Sequence, residues 1–391
     1  MVMSEMDRRG VEQWFRRRGL PAVVRGLEKN LLVRIVPAVV WLALFDVLYD
    51  VLSAIDGDDA FETRLESEAF EVIYTVTLVA SIGAPVLGAW LAARWARDRV
   101  LHDRGSVSAI VVIATYVLVL PVADHMADGS AVLPTVVEYL AFAVVLLGLT
   151  AVGMGSIFGW ALRAALRQLR AVGAMTSRAM PLLLLVTTFG FFTTEIWQIA
   201  GLVSRGRMWL VISFFAVLGG LFLGSVFVSE LRTLTAAAHW PERVSALPEQ
   251  PFRALMTGAE PADTAPALTR LERANMVLIL LLTQMLQALV FGVLVFAVFA
   301  ILGRLAVPHD AIKSWVGHDP TPGTLFNIQV PAPNELVQVC MFIAGFSALY
   351  FVATIVTDAA HRKTYFEPVL EHLEVSLAGR ALYLSRFGKQ E

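Results

Sequence analysis

Three carboxylates lie inside segments that are otherwise apolar enough to sit in lipid. They are Asp46 in LFDVLYDVL, Glu138 in LPTVVEYLAF and Glu195 in FFTTEIWQIAG. An ionised carboxylate in hydrocarbon is costly unless it is paired, protonated or hydrated, and such residues often mark ion or substrate pathways. The three residues are therefore candidates for binding a proton, a cation or a cationic substrate.

The same three carboxylates are predicted to share one level in the membrane. A helix rises about 1.5 Å per residue, which places each carboxylate about 21 to 22 Å from the cytoplasmic end of its apolar run. That level is in the outer half of a hydrocarbon layer about 30 Å thick. Height alone leaves the rotation of each helix open, so the sequence does not show whether the three groups face one another.

Neighbouring polar residues extend this candidate site. Thr188, Glu195 and Gln198 fall within about 80° of one another at the helical repeat and form a polar stripe on one helix. Possible charge partners near the predicted outer surface are Arg205, Arg207 and His125. In one interpretation these cations, or interfacial water, satisfy the acids and the contacts only hold helices together. In the other, the acids converge on an outward-facing polar cavity.

Eight apolar runs are long enough to carry these residues across a bilayer, because a spanning helix needs about 20 residues. Their hydrophobicity is continuous rather than alternating, which favours an all-α, polytopic helical bundle over a barrel. The predicted spans are 31–55, 69–95, 106–126, 131–153, 180–203, 208–230, 275–303 and 334–357.

The basic residues predict the orientation of this bundle. With a cytoplasmic N-terminus, 26 of the 31 lysines and arginines fall in inner segments. Only Arg64, Arg205, Arg207, Arg304 and Lys313 then lie outside. This asymmetry follows the positive-inside rule and predicts that both termini are cytoplasmic. The expected location is a bacterial plasma membrane.

The segments outside the spans are short. We expect a basic amphipathic N-terminal segment at 1–30, a cytoplasmic linker at 231–274, an outer loop at 304–333 and an amphipathic tail at 358–391. The stretches 14–26, 157–170 and 365–387 combine apolar and cationic positions, which is typical of contact with an anionic inner leaflet. A membrane-protein partner or a second copy of the chain is the alternative ligand of these stretches.

Composition and motifs exclude several classes of function. Of 391 residues, 57% are hydrophobic and 16% are charged, with a net charge of −2, so there is no basic field for nucleic acid. The single cysteine, Cys340, excludes an intramolecular disulfide and a cysteine zinc cluster. Metalloprotease, hydrolase-elbow and phosphate-loop motifs are missing from the sequence, which predicts neither an enzyme nor a cofactor or metal. Asp358 and His361 have a spacing that could hold a metal, but a plain solvated helix is the favoured explanation of this pair.

Three stretches carry a resemblance to a known group of proteins. RRRGLP (16–21), FSALYFVATIVTD (346–358) with the following HRKTYFEPV, and LAGRALYL (377–384) are similar to recurring features of uncharacterised integral membrane proteins of actinobacteria. The resemblance includes both ends of the chain. It implies a polytopic membrane protein and implies no activity.

Transport is the function that the sequence favours, because acids inside spans are usually retained for a role in ion or substrate movement. We expect a proton- or cation-linked transporter or permease with an outward-facing acidic cavity. The alternatives are a non-catalytic scaffold or accessory subunit of a cell-envelope complex and, on the Asp358/His361 pair alone, a lipid-handling enzyme.

Overall fold

The computed structural model describes residues 5–24, 31–56, 67–101, 106–129, 131–175, 187–236, 244–256, 267–326, 328–359 and 362–387. These residues are almost entirely helical, which confirms the all-α prediction. In chain order the first helices are α1 (Glu5–Arg17), α2 (Leu31–Asp56), α3 (Glu68–Leu101), α4 (Ser106–Ala114), α5 (Leu120–Asp128), α6 (Val132–Ala151) and α7 (Met154–Met175). They are followed by α8 (Thr194–Leu202), α9 (Arg205–Ala236), α10 (Glu249–Met256), α11 (Arg270–Ala306), α12 (His309–Val316), α13 (Asn334–Thr357) and α14 (Glu367–Phe387).

Within the described residues, seven helical segments are long and apolar enough to cross a membrane. They are Leu31–Leu52, Val72–Arg97, Val107–Met126, Val132–Ala151, Arg205–Leu234, Arg270–Ala306 and Asn334–Thr354. Each overlaps one of the eight predicted spans. The chain is therefore a helical protein with the features of a multi-pass membrane protein.

The predicted fifth span, 180–203, is not among these seven. Residues 180–186 lie outside the described part of the chain, and the remainder is a short helical segment at 187–191 followed by the nine-residue α8. The indole N–H of Trp197 donates to the carbonyl of Phe191 at 2.5 Å. A continuous α-helix would use that carbonyl for the amide of Glu195. The predicted depth of Glu195 was obtained from the rise per residue of one continuous helix. Because the helix is interrupted, this calculation does not give the depth of Glu195.

The predicted outer loop, 304–333, contains regular structure. Its first part is α12, and its last part is a two-stranded antiparallel hairpin of β1 (Pro322–Leu325) and β2 (Ile328–Pro333). The hydroxyl of Tyr74 on α3 donates to the carbonyl of Gln329 at 2.9 Å, and Ile328 packs with Leu52 and Tyr74. These contacts attach the hairpin to the ends of α2 and α3.

The chain divides into two compact units. The smaller unit comprises Gly26–Met154 and Pro322–Pro333, and the larger unit comprises Met1–Arg25, Gly155–Thr321 and Asn334–Glu391. In the smaller unit α2 packs on α3, α4 and α6. Its core contains Ile35, Val39, Tyr116, Val117, Tyr139 and Ala143.

The larger unit is built on three long helices, α9, α11 and α13. Phe291 stacks on Phe351 with ring centroids 5.0 Å apart, which joins α11 to α13. Phe215 packs on Phe342 and Phe346, which joins α9 to α13. Aromatic contacts therefore connect the three helices along their length.

A second part of the larger unit joins α1, α7, α11 and α14 around Gly19, and we call it the Gly19 junction. The side-chain amide of Asn275 donates to the Gly19 carbonyl at 3.0 Å and accepts from the Ala22 amide at 3.2 Å. The Arg18 guanidinium donates to Ser376 Oγ at 2.9 Å and to the His372 carbonyl at 2.7 Å. Described residues of the segments 14–26 and 365–387 thus pack within one core, since Phe15, Leu373 and Leu377 are all buried.

Burial in this junction changes the protonation of its histidine. The His372 ring lies over Trp160, with centroids 4.1 Å apart, and its Nε2 is 3.0 Å from the Arg18 carbonyl. Desolvation, with a smaller effect of the Arg18 cation, lowers the pKa of His372 to about 3. The imidazole is therefore neutral at physiological pH and acts as a packing group.

Gly19 closes α1 in a conformation that other residues rarely adopt. Its φ is +78°, and the Leu20 amide bonds to the Phe15 carbonyl at 2.9 Å, as in a Schellman motif. A Cβ on Gly19 would lie 2.5 Å from Cδ1 of Ile279 and 3.3 Å from Cβ of Trp160. The backbone therefore favours glycine here, and an added methyl group would also have to displace the end of the buried Ile279 side chain.

We expect Gly19→Ala to destabilise the larger unit by about 2 to 5 kcal/mol, the sum of left-handed strain and overpacking. Gly317→Ala is the matched control, because Gly317 has φ +84° and no atom lies within 4 Å of the position that its Cβ would take. It should cost only the strain, about 1 to 2 kcal/mol. Unfolding of detergent-solubilised variants by denaturant measures both; equal losses would contradict the packing described at Gly19.

Candidate functional site

The candidate site lies in the smaller unit, where three helices bring acids and a tyrosine together. α2 contributes Asp46 and, one turn later, Asp50, which share a helix face at i, i+4. α5 contributes Asp124, and α6 contributes Tyr139. We call these four residues the Asp46 cluster.

The Tyr139 hydroxyl links two of the carboxylates. It lies 2.9 Å from Oδ2 of Asp124 and in hydrogen-bond contact with Oδ2 of Asp46. A phenol has one proton and donates one hydrogen bond at a time. Both contacts in the row Asp46–Tyr139–Asp124 can therefore be hydrogen bonds at the same time only when one of the two carboxyl groups carries a proton.

The cluster also has the composition of a site for a hard cation. Asp46, Asp50 and Asp124 each offer one oxygen, and these oxygens lie within 4.8 Å of one another. Calcium–oxygen distances are about 2.3 to 2.6 Å, so ligands on opposite sides of a calcium ion are about 5 Å apart. The three oxygens could thus bind one calcium-sized ion.

Aromatic and aliphatic groups form one side of the cluster. The ring of Tyr116 lies 4.7 Å from that of Tyr139, and both residues are buried. Asp46 is half-buried, whereas Asp50 is exposed. The site is therefore closed towards the core of the smaller unit and accessible on the side of Asp50.

An irregular turn positions Asp124. Residues Thr115–Val119 between α4 and α5 form a π-helical turn, in which the Leu120 amide bonds to the Thr115 carbonyl. The next residue, Pro121, has no amide proton to continue the normal helical pattern. The wider turn therefore changes the rotational position, around the helix axis, of the residues that follow, including Asp124.

The residues predicted from the sequence separate into two groups. Asp46, Glu138 and His125 belong to the smaller unit, and of these only Asp46 is part of the cluster. Glu138 is exposed, one residue before Tyr139, and His125 is exposed, one residue after Asp124.

The remaining predicted residues belong to the larger unit: Thr188, Glu195, Gln198, Arg205 and Arg207. Glu195, Gln198 and Arg207 are exposed, and Thr188 is half-buried. The Arg205 guanidinium contacts Oδ1 of Asn334 and lies 2.9 Å from Sδ of Met341. Both of these contacts connect Arg205 to α13 rather than to Glu195.

Tyr139 and Asp124 are the functional candidates that the sequence prediction missed. Counting along a regular helix places Asp124 at the outer surface, above Asp46, and so apart from it. Tyr139 follows Glu138 directly, but a tyrosine in a span carries no charge and is not conspicuous by composition. The sequence does contain one signal for Asp124. Pro121 lies inside the predicted span three residues before it, and a proline there indicates an irregular helix.

No protein-family model matches the chain, and no curated protein and no solved structure is significantly similar to it.

Proposed function

We propose that this chain is a proton-linked membrane transporter and that the Asp46 cluster is its proton-binding site. The observation that supports this most directly is the row Asp46–Tyr139–Asp124, where one phenol proton is shared between two carboxylates. A site that needs one additional proton to complete its hydrogen bonds is suited to binding and releasing that proton.

The proposed topology places this site near the outer surface. We propose eight spans, with 180–203 as the fifth, and cytoplasmic termini in a bacterial plasma membrane. The 26-to-5 distribution of basic residues supports this orientation. With α2 rising from the cytoplasmic side, Asp46 lies about 22 Å above Leu31, closer to the outer surface.

Loss of the proton supplies a physical link to conformational change. When both carboxyl groups are ionised, only one can accept from Tyr139, and the two negative charges repel each other at short range. Asp46 is on α2 and Asp124 is on α5, so this repulsion acts between two helices of the smaller unit. We propose that proton release separates these helices and opens the site to its cargo.

A small cation is the second ligand that we propose for the cluster, as the species exchanged for the proton. The three carboxylate oxygens within 4.8 Å of one another favour it. Binding of a divalent ion requires ionised carboxylates and would release the shared proton.

The scaffold alternative has less support. It relies mainly on the amphipathic segments 14–26 and 365–387 as docking sites for a partner. Apolar residues of both segments pack in the Gly19 junction, so they offer a partner less surface than the sequence suggested.

Proteoliposomes with a pH-sensitive dye inside test the proposed function. We expect protein-dependent proton movement when a gradient of sodium, potassium, calcium or manganese is imposed across the membrane. Asp310→Asn, at an exposed acid on α12, is the matched control and should keep this movement. If no cation in this panel drives proton movement above that of empty liposomes, proton–cation exchange is excluded as the function.

A further inference from the structure

The amphipathic helix α7 has three distinct faces, and their arrangement does not depend on the transport proposal. One face is buried in the larger unit and consists of Ile157, Trp160, Ala161, Ala164 and Ala165. Because four of these five residues are small or aliphatic, the helix can approach its neighbours closely. This face fixes the rotation of α7 in the larger unit.

The second face is apolar and exposed. Phe158, Leu162 and Leu166 recur every four residues, so each is rotated about 40° from the previous one. Phe158 and Leu166 are 48% and 49% exposed although the helix is well packed on its other side. Two large apolar side chains exposed on one stripe of a helix whose opposite face is buried indicate contact with a non-aqueous neighbour.

The third face is cationic. Arg163 and Arg167 are exposed and lie next to the apolar stripe, about 60° and 100° beyond Leu166. Nε of Arg163 donates to the Gly159 carbonyl at 2.8 Å, and Nε of Arg167 donates to the Arg163 carbonyl at 3.2 Å. These bonds direct both guanidinium groups along the same edge of the helix.

The position of α7 along the chain places it at a membrane surface. The candidate span α6 ends at Ala151, and only Val152 and Gly153 separate it from Met154, the first residue of α7. Gly153 has φ +87°, which ends one helix and lets the chain turn into the next. The N-terminal end of α7 therefore follows directly on the end of a candidate membrane span.

We propose that α7 is an interfacial helix that binds anionic phospholipid, with Phe158 and Leu166 among the acyl chains and Arg163 and Arg167 on the phosphates. An apolar stripe beside an arginine stripe is complementary to the boundary between acyl chains and anionic headgroups. Arginine also suits this role because its planar group can bind a phosphate through two hydrogen bonds.

Spin labels on single introduced cysteines test the depth of this helix. The native Cys340 is fully buried, so it stays in place, and the unmodified protein serves as the labelling blank. In vesicles of phosphatidylcholine and phosphatidylglycerol, labels at positions 158 and 166 should collide with oxygen, which concentrates in acyl chains. Labels at 163 and 167 should collide with a water-soluble nickel chelate. Equal exposure of all four positions to the nickel chelate would overturn the proposal.

Lipid affinity gives a second, independent readout. Phosphatidylglycerol added to detergent-solubilised protein should raise the unfolding midpoint more than phosphatidylcholine does. The double variant Arg163→Gln/Arg167→Gln should weaken binding of phosphatidylglycerol by about 30-fold, because two surface attractions of about 1 kcal/mol each are lost. Arg253→Gln, at an exposed arginine on α10, should keep it. An undiminished affinity in the double variant, or stabilisation by both lipids alike, would show that α7 faces something other than anionic lipid.

Discussion

Asparagine in place of Asp46 is expected to reduce proton movement through this protein at least about tenfold, which is a change of about 1.4 kcal/mol in the rate-limiting step. The substituted amide would keep the size and the hydrogen-bonding shape of the side chain but cannot release a proton. Tyr139 could then complete its hydrogen bonds with Asp124 and the amide at every pH. The cluster would stay in one state, and the proposed separation of α2 and α5 would not occur.

Three further variants assign the loss to the cluster. Asp124→Asn should reproduce it, because the second carboxyl group of the row is removed. Tyr139→Phe should give a partial loss, since both carboxylates remain but their link is absent. Glu195→Gln should keep most of the activity, because Glu195 is exposed and belongs to the larger unit. If Glu195→Gln abolishes proton movement while Asp46→Asn does not, the site lies in the larger unit and the present assignment is wrong.

The second large effect concerns a buried ion pair that joins α11 to α14. Arg380 donates from Nε to Oε1 of Glu272 at 2.7 Å and from Nη2 to Oε2 at 2.8 Å, and the side chains are only 4% and 5% exposed. Arg380→Ala leaves the Glu272 charge buried without its cation. We expect a loss of about 3 to 5 kcal/mol of unfolding free energy, because removing one partner of a buried pair leaves an uncompensated charge.

A double substitution distinguishes the effect of the buried charge from the effect of lost side-chain packing at this ion pair. Glu272 also caps α11, where its side chain accepts from the Thr269 amide at 2.8 Å. Glutamine can keep this cap, so Arg380→Met combined with Glu272→Gln should recover most of the loss. The exposed pair of Arg8 and Glu12 is the control, since Arg8→Ala should cost about 0.5 kcal/mol or less. Denaturant unfolding in detergent measures these variants against the unmodified protein; an Arg380→Ala loss no larger than that of Arg8→Ala would contradict the buried pair.

Hydropathy was sufficient to predict most of the membrane helices. Leu31–Leu52, Arg270–Ala306 and Asn334–Thr354 lie close to predicted spans, because a continuous apolar run of this length has few other stable forms in lipid. The break before α8 could not be predicted in the same way. It depends on the Trp197 indole occupying the Phe191 carbonyl, and hydropathy contains no information on that hydrogen bond.

The sequence prediction missed Tyr139 and Asp124 because both are distant in sequence from Asp46. Asp46 was identified because a lone acid in an apolar run is conspicuous. Its partner Tyr139 is 93 residues away, and Asp124 follows a π-helical turn that a regular helical repeat does not include. The same reason applies to Arg380 and Glu272, which are 108 residues apart. A single sequence shows the types of these residues but not their pairing.

An infrared pH titration of the purified protein, compared with Asp46→Asn and Asp124→Asn, shows whether the Asp46 cluster binds a proton. A protonated carboxyl group has a carbonyl stretching band that an ionised carboxylate lacks. If the Asp46 cluster holds a shared proton, a carboxyl band should be present at neutral pH, disappear on titration to alkaline pH, and be lost or shifted in both variants. It should be unchanged in Asp310→Asn. A spectrum with no carboxyl band at neutral pH, or one that both cluster variants leave intact, would show that Asp46 and Asp124 do not bind the proton on which the proposed function depends.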